Sequence, residues 1–150
     1  MSGPNVRCIV EISVSYTHLI APEEHDAWFS NLPTRIDLAY FAIEEIQTKS
    51  HVGNIWLHAI EPLQHAEVRI VLSPEVHGRG IGQAALAVLS HKAFEEMRLK
   101  RLYAYVLATN PRGRRAFENA GFALEKTLAA DRWTGERYVD AWLLAQTAPV

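Results

Sequence analysis

Three glycines fall within five residues at Gly78-Arg79-Gly80-Ile81-Gly82, directly after His77 and shortly after the apolar run Val68-Arg69-Ile70-Val71-Leu72. A helical pattern begins inside the glycines, because Leu86, Leu89, Ala93 and Met97 recur three or four residues apart. Glycines at a strand-to-helix junction leave backbone N–H groups unshielded by Cβ atoms. Those amides point where the helix N-terminus points, which makes an anion site suited to a phosphate or pyrophosphate. A tight turn without a ligand is the competing reading. Upstream, Val68, Ile70 and Leu72 share one strand face, so Glu67 and Arg69 take the other, where they can form an ion pair. Downstream, Asn110-Pro111 has the chemistry of a helix start, with an Asn cap worth about 1 kcal/mol.

Two phosphate-binding templates compete for the turn. Gly80-x-Gly82-x-x-Ala85 fits part of the dinucleotide fingerprint. That fingerprint wants the strand to enter the first glycine directly, whereas Ser73 to His77 intervene here. It also wants an acidic residue about 20 positions on, and the next strand ends in Ala108-Thr109-Asn110. A P-loop is excluded, since no Lys-Ser or Lys-Thr follows the glycines.

The run from His77 to Gly82 resembles the Gln/Arg-x-x-Gly-x-Gly/Ala pyrophosphate turn of the GCN5-related N-acetyltransferase (GNAT) superfamily. Ala66-Glu67-Val68-Arg69-Ile70 looks like that superfamily's fourth strand. Asn110, Ala116, Phe117 and Gly121-Phe122 are spaced like its Asn…Ala…Tyr…Gly-Phe segment. The three pieces occur in the right order, and the resemblance covers roughly residues 19–145. Phe41 to Glu44, Gly53-Asn54 and Gly135 to Asp140 are similar to the ribosomal-protein N-acetyltransferase (RimJ/RimL-like) branch. Ile20 to Phe29 looks like a segment of sugar N-acetyltransferases.

The resemblance implies an α/β fold: a mostly antiparallel mixed sheet, splayed at a cofactor cleft, with helices on both faces. It implies acetyl transfer from acetyl-CoA, without a metal, to a primary amine of a small molecule or peptide. The backbone of Gly78, Arg79, Gly80, Ile81 and Gly82 would face the pyrophosphate. His77 departs from the family's Gln or Arg and brings less fixed charge; a solvated loop histidine is its plainer reading. Val71 and Leu72 map to the splay, where a backbone N–H polarises the thioester carbonyl. Glu67 is the candidate base. Asn110 would contact the pantetheine arm, in addition to or instead of capping. Phe117 stands where relatives commonly place the Tyr that protonates the leaving thiolate. Either Tyr103, Tyr105, Tyr138 or a water serves instead, or the thiolate leaves unaided, or the protein binds CoA and barely turns over. The last option, a CoA-binding module acting as a sensor or partner subunit, is the alternative to an enzyme. Relatives also pair through their C-terminal strands, which implies a homodimer.

The elements that must position these residues alternate along the chain. Pro22 to Leu32 reads as a helix. Tyr40–Ile43 and Ile55–Ile60 read as an antiparallel pair joined by 47–53. A strand over 66–72, a helix over 80–98, a strand over 101–107 and a helix over 111–119 follow. Two strands, 122–128 and 138–145, close the chain around Trp133 to Glu136. The four tryptophans read as packing residues. Composition fits one domain spanning 1–150, with an opening of about twenty residues that is short against the family pattern. Of its 150 residues 49% are hydrophobic and 21% charged, ordinary for a globular protein. A net charge of −2 gives no footprint for nucleic acid or a membrane surface. The single cysteine, Cys8, cannot form an internal disulfide, and no signal peptide or spanning helix is legible, which together predict a cytoplasmic protein.

Overall fold

The computed structural model describes residues 6–9, 38–45 and 48–149. Seven strands form one sheet: β1 (Val6–Ile9), β2 (Ala39–Glu45), β3 (His51–Glu61), β4 (His65–Leu72), β5 (Arg101–Leu107), β6 (Ala123–Trp133) and β7 (Tyr138–Thr147). Their order is β1-β2-β3-β4-β5-β7-β6. Every neighbouring pair is antiparallel except β4 with β5. That parallel pair needs a crossover, which α1 (Ile81–His91) and a π-helical turn (Lys92–Glu96) supply. A second helix, α2 (Pro111–Asn119), links β5 to β6.

The apolar periodicities resolve into one core. Ala66 and Val68 on β4, Leu102, Ala104 and Val106 on β5, and Ile55 and Leu57 on β3 are all buried. Ile81, Leu86, Leu89 and Ala93 close over them from α1, and Phe117 from α2. Both helices therefore lie on this face of the sheet. The other face carries Tyr40, Trp56 and Arg69, which are cross-strand partners in one row, and Glu67 beside Tyr103 in the next. The helix expected over Pro22 to Leu32, like Ile20 to Phe29, lies outside the described residues.

Three sequence expectations change. The helix expected over 80–98 is α-helical only to His91 and then widens into the π turn, although Leu86, Leu89 and Ala93 keep their buried face. β3 starts at His51, so Gly53 belongs to the strand rather than its connection. A Cβ at Gly53 would collide with the Val71 carbonyl; glycine here permits close strand contact, which composition cannot distinguish from a turn. β6 continues to Trp133 instead of ending near Leu128. Its register shifts between Leu128 and Arg132, where Ala130 adopts φ 46°. The Asp140 carboxylate accepts the Ala130 N–H at 2.9 Å and holds that bulge.

Candidate active site

β4 and β5 pair only through His65–Arg101, Ala66–Leu102 and Glu67–Tyr103. Beyond Glu67 the strands separate, which is the expected splay. On the β3 side, Ser73 N–H donates to Val52 O. Alternation along the ladder then aims Val71 at β3 and turns the N–H groups of Ile70 and Leu72 into the gap. This corrects the pairing of Val71 with Leu72 as equivalent candidates. The Val71 side chain is on the outer face and largely exposed, while Leu72 and Ile70 line the cleft.

A cavity of about 770 Å³ opens at this gap, lined by the glycine turn, the start of α1 and the face of α2. Gly78 and Gly80 have φ of 78° and 77°, a region that costs an L-residue roughly 1–2 kcal/mol. Gly80 is the N-cap of α1 and contributes no capping side chain. The first helical bond runs from Ala84 N–H to Gly80 O, so the amides of Ile81, Gly82 and Gln83 have no helical partner. Gly82 is buried because the Leu72 side chain packs where its Cβ would be. Unpaired amides, a helix N-terminus and an absent Cβ thus coincide at the glycine turn. His77 lines the same cavity, with Nε2 3.2 Å from the Leu72 carbonyl, so its hydrogen bond steadies the strand end.

Arg79 does not line this cavity. Its guanidinium turns to Glu45 on β2, Nη2 to Oε2 at 2.8 Å, an interaction that a separation of 34 positions hides from sequence. Arg112 and Arg115 on α2 do reach the wall, and no motif had singled them out. Asn110 caps α2, its Oδ1 accepting the Gly113 N–H at 2.9 Å, and lines the cavity at the same time.

A second cavity of about 540 Å³ lies across the splay, lined among others by Trp56, Glu67, Arg69, Tyr105 and Arg132. The two cavities share Ile70, Asn110, Gly113 and Phe117. A group held at these four residues is reachable from both sides. Glu67 is ion-paired to Arg69 through Oε2, as the same-face reading anticipated; among the described residues Oε1 has no partner. Phe117 is buried, edge-on to Phe122 with centroids 5.0 Å apart.

Of the alternative acids, Tyr105 lines the second cavity. Tyr103 does not; burial first, and then the Glu67 carboxylate, raise its pKa above the ordinary 10.0. Tyr138 sits exposed at the β6–β7 tip against Trp133. Trp56 and Arg132 reach this wall without sequence signals. Trp56 looked like any packing aromatic, and Arg132 lies in a polar tip segment whose strand character was missed. No helix among the described residues is long and apolar enough to cross a membrane.

A family model described as an acetyltransferase (GNAT) domain matches residues 6–123. A spermidine N(1)-acetyltransferase of Vibrio cholerae is 28% identical over 101 residues, 67% of this chain and 58% of that protein. The match thus spans less than two-thirds of the relative's length. A solved structure of spermidine N-acetyltransferase from Vibrio cholerae, in complex with CoA and spermine, superposes with a TM-score of 0.77. The two are 19% identical, and the alignment covers 95% of this chain and 94% of that one. The dodecameric form of the Vibrio cholerae enzyme, in an intermediate state, gives 0.75 at 20% identity, with coverage of 95% and 94%. At such identities the likeness is one of fold. The family model spans well over half of the sequence, and its span contains both the glycine turn and the splayed strands: the chain belongs to the acetyltransferase (GNAT) family.

Proposed function

We propose that this protein transfers an acetyl group from acetyl-CoA to a primary amine of a small molecule or peptide. The observation that carries the reading is the meeting of two cavities at Ile70, Asn110 and Phe117, one lined by an unpaired helix N-terminus and the other by a carboxylate. Gly80, Ile81 and Gly82 hold the pyrophosphate, with Arg112 and Arg115 adding charge. Leu72 N–H, with Ile70 N–H beside it, donates to the thioester carbonyl and stabilises its developing negative charge. Glu67 takes the amine proton, directly or through a water. The amine nitrogen bonds to the acetyl carbon, the C–S bond breaks, and the electron pair leaves on sulfur. Tyr105 is the described hydroxyl best placed to return a proton to that thiolate; a thiol of pKa ~8.5 also leaves tolerably without help.

The likeness to spermidine acetyltransferases favours a polyamine acceptor, whereas the motif resemblance pointed to the ribosomal-protein branch. Both are finer than the shared fold and family. Self-association is part of the proposal: β6 is an edge strand, exposed along nearly its whole length, and a solved neighbour is dodecameric. Thiol release from acetyl-CoA, measured against a panel of amines, tests the activity. Turnover with at least one amine is expected. A melting point raised by CoA with no turnover on any amine would instead establish the non-catalytic binding module.

A further inference from the structure

The second cavity has a charge pattern that an acceptor must match. Among its described lining, one side chain is anionic, Glu67, and two are cationic, Arg69 and Arg132. The carboxylate is already held by Arg69. In both arginines the ion pair engages Nε: Arg69 on Glu67, and Arg132 on Asp131 at 3.0 Å. The terminal Nη groups, the fork that binds a carboxylate or phosphate in two-point fashion, are unpaired among the described residues.

Trp56 and Tyr105, the aromatic rings of this wall among the described residues apart from Phe117, each have one face covered. Trp56 stacks on Tyr40 at 4.9 Å and 8°. The Arg132 guanidinium lies 4.8 Å over the Tyr105 ring. Arg132 reaches Tyr105 from β6 across β7, two strands away. It does so beside the bulge that Asp140 pins through the Ala130 N–H, and such bulges re-aim side chains toward sites. Among the described lining, a polyamine, a chain of ammonium groups, would meet two guanidiniums and a single carboxylate already ion-paired to one of them.

We propose that the acceptor is a primary amine bearing an anionic group, a carboxylate or a phosphate, a few atoms from its nitrogen. Arg69 and Arg132 bind that anion and so place the amine beside Glu67. This inference rests on the acetyl-transfer reading above. The anion takes no part in the bond changes; it fixes the acceptor's orientation and sets specificity.

Matched amines test it on the full chain. Phenylalanine is compared with phenethylamine, O-phosphoethanolamine with ethanolamine, and spermidine is run alongside. For each, kcat/KM is read from thiol release, and binding to the CoA-saturated protein is read by calorimetry. At least one anionic member should exceed its partner lacking the anion by tenfold or more, and the pair with the larger ratio identifies carboxylate or phosphate. Arg132→Gln should bring that ratio close to one while the CoA-induced melting shift persists. Selective binding of an anionic probe without turnover removes the enzyme reading, and the acceptor role with it, and leaves only the anion binding by Arg69 and Arg132. Spermidine preferred over both anionic probes, or no anionic probe bound, overturns the inference. A ratio that survives Arg132→Gln and Arg69→Gln overturns it as well.

Discussion

Glu67 shares its carboxylate between a structural partner and the cavity. Oε2 is committed to Arg69, and Oε1 has no partner among the described residues, so the ion pair leaves a proton acceptor for the base role proposed for Glu67. Glu67→Gln keeps the shape and removes the proton acceptor. The expected result is a fall in kcat of at least tenfold near neutral pH, with CoA affinity unchanged by calorimetry. An unaltered pH–rate profile would leave Glu67 with the ion pair alone. Phe117 poses the complementary question, because its ring lines both cavities yet has no proton to give. Phe117→Tyr adds one oxygen where the cavities meet. A several-fold rise in kcat is expected if thiolate departure limits turnover. A drop with CoA binding intact would show that the site requires an apolar ring.

The glycine turn works as an element because three conditions coincide. Gly80 takes a left-handed backbone, Gly82 yields its side-chain space to Leu72, and α1 begins without a capping side chain. Gly80→Val adds a branched side chain at φ 77° and places it against the open amides. We expect loss of CoA binding in a folded protein; comparable CoA affinity with an unchanged circular dichroism spectrum would remove the pyrophosphate assignment. The turn, the β4 alternation and the Asn110 cap were legible because each depends on residues within about five positions of one another. Arg79 was expected to face the pyrophosphate with its backbone, and the partner of its side chain, Glu45 on β2, had no local signal. Local spacing carries no information about a partner 34 residues away. β6 was cut short for a similar reason. Ala129-Ala130-Asp131 has weak strand preference by itself, and pairing of Arg132 with Val139 and Trp133 with Tyr138 carries the strand onward.

Across the whole molecule, the core lies on the helix-bearing face of the sheet, and the parallel β4–β5 pair sits at its centre. The site is therefore a consequence of topology: the crossover through α1 brings β5 beside β4, and their early divergence opens the cleft. Leu102 is fully buried on β5 at the paired end. Leu102→Ala should cost about 3 kcal/mol of unfolding free energy by denaturant titration. Because it also loosens the strand that forms one lip of the splay, acetyl-CoA turnover should fall more than stability alone requires. A loss under 1 kcal/mol would mean that neighbouring side chains collapse into the space.

The residues alone determined the family, the order of elements from β2 onward, the glycine turn ahead of a helix and the placement of Glu67 opposite the apolar face. Glycine spacing and alternation are local, and their physics acts within a single turn or strand. Only the tertiary structure decided what stands around the reacting centre. It joined two cavities at Ile70, Asn110 and Phe117, turned the Leu72 N–H rather than that of Val71 into the gap, tied the Arg79 side chain to Glu45, and carried Arg132 over Tyr105. These outcomes depend on which strands become neighbours and in what register. Such contacts are set by packing the whole chain at once, and no short window of residues encodes them.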